Sequence, residues 1–72
     1  VIKCIELSDP KSCLNKAEQN EMIFVLRAKD PAAAATVRAW IKERISMGLN
    51  EYTDPKIQDA ENCACTMQRT LR

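Results

Sequence analysis

Apolar residues recur at helical spacing in two parts of the chain. Ala34, Val37, Ile41 and Ile45 lie three or four positions apart and form one stripe, with Trp40 beside it. Arg38, Lys42 and Glu43 fall on the other faces. Further on, Ile57, Ala60, Ala64, Met67 and Leu71 follow the spacing 3, 4, 3, 4, an a/d seam held over two heptads. Both patterns carry helix punctuation. Asp30-Pro31 offers a cap and then proline at the first helical position. Gly48, the only glycine, is followed by Leu49, which is the order of a Schellman C-terminus. A helix is therefore predicted over residues 31–47. Thr53-Asp54-Pro55 repeats the cap-then-proline start and predicts a second helix over residues 55–71. The short connection from Gly48 to Asp54 makes the two antiparallel neighbours.

The N-terminal segment, residues 1–26, has no such clear period. Ser8-Asp9-Pro10 reads as a third cap-then-proline start, with two turns of helix over residues 11–18. Residues 1–7 alternate weakly, as a short strand or an unstructured tail would. Met22-Ile23-Phe24-Val25-Leu26 is β-prone, or is an extended segment laid across the helices. The expected fold class is all-α or nearly so: one small domain over residues 1–72, an antiparallel helical hairpin with a short N-terminal helix or strand.

Size changes the picture. A chain of 72 residues rarely buries enough apolar surface to hold a rigid fold alone, and this one has only three aromatic residues, Phe24, Trp40 and Tyr52. Disulfides, a metal or partner subunits must compensate. The four cysteines are Cys4, Cys13, Cys63 and Cys65, and histidine is absent. On a helix, Cys63 and Cys65 point about 200° apart and cannot chelate one ion. Nothing near Val1 reads as a signal peptide, so reduced thiols are expected in place of disulfides or metal. Oligomerisation is the remaining route, since a two-helix unit cannot cover both apolar stripes internally.

The charge balance, eleven Lys and Arg against ten Asp and Glu, argues against a general DNA or RNA polymer binder. The longest apolar run, residues 22–26, is too short to span a bilayer. One glycine cannot build a G-x-x-x-x-G-K or G-x-G-x-x-G loop, and without histidine no His-based triad is possible. No catalytic residue and no cofactor or metal site is expected.

One stretch gathers features suited to an anion. Arg27, Ala28 and Lys29 precede the first long helix, whose opening turns carry only small side chains up to Thr36. Free backbone N–H groups and the positive end of the helix dipole point there. Arg27 and Lys29 supply charge, the alanines permit close approach, Thr36 offers a hydroxyl, and Arg38 can reach back about one turn. The plainer reading is a solvated helix start capped by Asp30, with alanines that only permit close packing.

The blocks Ser12-Cys13-Leu14-Asn15-Lys16-Ala17, Glu21-Met22-Ile23-Phe24-Val25-Leu26-Arg27-Ala28-Lys29-Asp30 and Thr36-Val37-Arg38-Ala39-Trp40 resemble the phage anti-CBASS and anti-Thoeris sponge proteins, over roughly residues 12–67. That resemblance implies a helical hairpin domain in a homo-oligomer, commonly a hexamer, and no enzymatic activity. It implies a cyclic dinucleotide, a cyclic trinucleotide or a cyclic ADP-ribose isomer as ligand, held intact between subunits in the cytoplasm of an infected bacterial host. Asn15 joins the candidate ligand residues through its place in the first block. The alternative from the residues themselves is a small assembly module that binds a partner helix through the a/d seam.

Overall fold

The computed structural model describes residues 1–71. It is mostly helical, 56%, with no strand among the described residues. Among the described residues four helices follow in order: α1 Lys3–Ser8, α2 Cys13–Lys16, α3 Ala33–Ser46 and α4 Pro55–Thr70.

α3 packs on α4, and the two carry the core. Ala33, Ala34 and Ile41 are buried on α3, and Ile57 and Ala64 on α4. Val37, Ala60 and Met67 are half-buried beside them. All of these except Ala33 belong to the two expected stripes, whose outer members, Ile45 and Leu71, stay exposed. Contacts between the helices run in opposite order along the chain. Arg38, early in α3, reaches Cys65 and Gln68 late in α4, while Trp40 lies beside Lys56 at the start of α4.

The helix ends follow from named hydrogen bonds. α3 stops at Gly48, whose φ of 74° is open to glycine at little cost. The Leu49 N–H donates to the Arg44 carbonyl at 3.1 Å and the Gly48 N–H to that of Ile45 at 3.0 Å, completing the Schellman pair. At its other end α3 begins two residues later than the expected 31. The Asp30 carboxylate accepts from the Ala32 N–H at 2.8 Å, and the Asp30 carbonyl accepts from the Ala33 N–H at 3.0 Å. These bonds hold Pro31 and Ala32 in a turn, so regular helix starts at Ala33. α4 begins at Pro55 as expected.

The N-terminal third corrects three expectations. Residues 1–7 are neither strand nor tail, because Lys3–Ser8 is helical. Ser8-Asp9-Pro10 does not start a helix. It ends one: the Asp9 N–H donates to the Ile5 carbonyl, and the Asp9 carboxylate accepts from the Lys11 N–H at 2.9 Å. The helix expected over residues 11–18 shrinks to one turn, α2, capped by Ser12, whose hydroxyl accepts from the Asn15 N–H at 3.1 Å. Residues 22–26 form no strand within the chain. Met22, Phe24 and Val25 are largely exposed, Met22 at 95% and Phe24 at 84%.

Candidate functional site

The expected anion site falls in the connection to α3. The Asp30 N–H donates to the Arg27 carbonyl at 3.0 Å, closing a turn over Arg27-Ala28-Lys29-Asp30. A second turn follows directly, closed by the Ala33 N–H on the Asp30 carbonyl. Arg27, Ala28 and Lys29 therefore sit together in one turn by chain continuity. Arg27 and Lys29 are exposed, Ala28 is half-buried, and neither cation has an ion-pair partner among the described residues.

The rest of the expected constellation is engaged elsewhere. Ala33 and Ala34 are buried in the α3–α4 packing, so they do not form an open, flat approach to the helix start; Ala35 stays exposed. The carboxylate of Asp30 already bonds the Ala32 N–H at the foot of that helix. An anion there would be held by the side chains of Arg27 and Lys29 more than by the helix amides.

Thr36 Oγ1 donates to the Ala32 carbonyl at 2.7 Å, a bond back along its own helix. Arg38 does not reach back to the helix start. Its Nη1 donates to Gln68 Oε1 at 2.9 Å, its Nε lies 3.5 Å from Glu61 Oε1, and its Nη2 lies 3.7 Å from Cys65 Sγ. It is a tie between helices. Asn15 is a tie as well: its Nδ2 lies 3.1, 3.0 and 2.8 Å from the carbonyls of Glu6, Leu7 and Asp9, the last turn of α1 and its end. The Ser12 hydroxyl reinforces this junction by donating to the Glu6 carbonyl at 2.6 Å. So the structure groups Arg27, Ala28 and Lys29, and assigns Asn15, Thr36 and Arg38 internal partners.

A cationic feature that the spacing argument passed over surrounds Trp40. Arg44 stands 5.6 Å and Lys56 5.9 Å from the centre of its half-exposed ring. The Trp40–Arg44 part is an i, i+4 pair and readable from sequence; Lys56 joins only through the packing of α4. All four cysteines are free thiols, Cys4 and Cys13 exposed, Cys63 and Cys65 partly covered. Among the described residues no three His, Cys, Asp or Glu side chains come together as a metal site would need. No helix among them is long and apolar enough to cross a membrane.

No protein family matches this chain, and neither a curated protein nor a solved structure is significantly similar to it.

Proposed function

We propose that this chain is the subunit of an oligomeric phage sponge that sequesters a cyclic nucleotide immune messenger without cleaving it. In this reading α3 and α4 are the helical hairpin of one subunit, commonly one of six. The ligand is a cyclic dinucleotide, a cyclic trinucleotide or a cyclic ADP-ribose isomer, held at a subunit boundary in the cytoplasm of the infected host. CBASS or Thoeris signalling is blocked because the messenger no longer reaches its effector. The observation that carries the proposal is the turn of Arg27 and Lys29: two exposed cations without an acidic partner among the described residues, in the block that resembles the sponges.

Phosphate suits that turn. A charge-assisted hydrogen bond contributes roughly 1.5–3 kcal/mol. The rival reading, a partner helix docked on the a/d seam, has less support, since Ile57 and Ala64 are fully buried within the chain.

Calorimetric titration with cyclic dinucleotides, cyclic trinucleotides and cyclic ADP-ribose isomers tests the proposal. Arg27→Ala or Lys29→Ala should each weaken the best ligand by about tenfold to a hundredfold. Lys56→Ala serves as the comparison, being a cation on the other long helix. After denaturation the bound ligand should be recovered intact. Cleaved product would mean an enzyme, and no binding by any of the ligands would end the sponge reading. A loss confined to Lys56→Ala would move the anchor to Trp40.

A further inference from the structure

Residues 21–27 are the most unusual surface of the chain. Glu21-Met22-Ile23-Phe24-Val25-Leu26-Arg27 is rich in β-prone side chains, and most of them face solvent. Among the described residues, the backbone N–H and C=O groups of residues 22–26 make no hydrogen bond within the chain. An open, apolar, unpaired segment of this kind is a template for strand pairing.

The charges at its ends say with what. The order is acidic, five apolar residues, basic, and it is symmetric about Phe24. Laid antiparallel on an identical segment with Phe24 opposite Phe24, Glu21 falls opposite Arg27 at both ends. Met22 then meets Leu26, and Ile23 meets Val25. Parallel pairing in register would instead set Glu21 against Glu21 and Arg27 against Arg27, and like charges directly opposite destabilise a pair. The segment is thus complementary to itself in one orientation, as a two-fold interface requires.

We infer that residues 21–27 pair antiparallel with the same segment of a second copy of this chain, forming a two-stranded ribbon centred on Phe24. Met22 and Phe24, left exposed in the single chain, become cross-strand contacts, and two Glu21–Arg27 pairs close the ends. Lys29 lies just outside the ribbon and remains available to a ligand; Arg27 is shared with the proposed ligand site, so Lys29→Ala, not Arg27→Ala, separates ligand loss from loss of pairing. The pairing itself requires no ligand.

Charge reversal tests this without touching the core, because Glu21 and Arg27 are exposed and outside the helices. Sedimentation measures the self-association constant of wild type, Glu21→Arg, Arg27→Glu and the double swap Glu21→Arg with Arg27→Glu. Circular dichroism confirms that helix content is unchanged. Either single swap turns both end pairs repulsive and should weaken self-association by about tenfold. The double swap restores both attractions and should return to within about threefold of wild type. The two single variants, mixed, should associate with each other more tightly than either does with itself, since one segment then has two cations and the other two anions.

A wild-type monomer at micromolar concentration overturns the inference. So do single swaps that associate like wild type, or a double swap as weak as the singles. The sponge reading fails separately, through ligand titration of a wild type whose association has already been measured.

Discussion

The carboxylate of Asp54 stands immediately before Pro55, where a cap of α4 would be expected, yet it bonds no amide of that helix. It turns back into the preceding loop. Asp54 Oδ2 accepts from the Glu51 N–H at 3.0 Å and from Asn50 Nδ2 at 3.0 Å, and Asn50 Oδ1 accepts from Arg44 Nε at 2.7 Å. The last turn of α3 is thereby linked to the first residue before α4. The backbone donor, and after it the Asn50 amide, hold the Asp54 carboxyl below the ordinary value of 3.8. A depressed folded-state pKa contributes stability above the unfolded value, and that contribution disappears as pH falls through the folded value. Asp54→Ala should therefore melt below wild type at pH 7, and the gap should close as pH drops from about 4 downwards. Thermal melts of both proteins between pH 7 and pH 2 check this; a gap that is independent of pH would show that the ionised carboxylate is not what joins the helices. The same scale explains which candidate residues sequence could and could not place. The cationic character of Arg27 and Lys29 is plain from their identity. The fate of Arg38 is not, because Glu61 lies 23 positions away and meets it only in the register of the paired helices. Asn15 likewise depends on three carbonyls at the end of α1, a helix that the weak apolar alternation of residues 1–7 had concealed.

At the scale of elements, α3 and α4 were legible because period and punctuation agree there. Apolar spacing fixes the faces, proline and glycine fix the ends, and both point to the same helices. The N-terminal third was illegible because its punctuation is ambiguous. Ser-Asp-Pro can open a helix or close a turn, and what decides is the Ser12 hydroxyl capping Asn15 four residues later in the chain than Ser8. α1 has no side-chain cap of its own and too few turns for a period to show. Such short helices are marginal alone, so tertiary hydrogen bonds through Ser12 and Asn15 are what hold them. The seam of α4 permits a quantitative test. Ile57 is fully buried at the start of that helix. Ile57→Ala removes buried methyl groups and leaves a cavity, at a cost of about 2–5 kcal/mol. In a chain of this size that is a large share of the total, so denaturant titration of the variant should show a midpoint shifted far down, or no folded baseline. An Ile57→Ala protein as stable as wild type would mean that the helices pack on some other face.

For the whole molecule, surface area and shape tell one story. The chain exposes 6071 Å², whereas a compact monomer of this mass exposes roughly 4,500 Å². Its radius of gyration is 13.0 Å, against about 11 Å for a globular chain of this length. Large apolar side chains contribute to it: Ile2, Ile5 and Leu7 around α1, then Met22, Phe24 and Val25, then Met47, Leu49 and Tyr52 are all more than half exposed. In the assembly proposed above, this solvated apolar surface is where the neighbours would lie. The proposed assembly would tie stability to concentration. When folding is coupled to dimer formation, each hundredfold dilution lowers the stability of the folded state by about 2.7 kcal/mol. For a domain of this length that corresponds to a melting temperature lower by about 10 °C or more. Scanning calorimetry or fluorescence melts from about 1 μM to 100 μM should therefore show a steady rise of the midpoint with concentration. A saturating ligand should raise the midpoint further at every concentration, by mass action on the folded assembly. A midpoint that stays fixed over that range would mean that this small core folds and persists as a single chain, and that its exposed apolar surface is not what its neighbours cover.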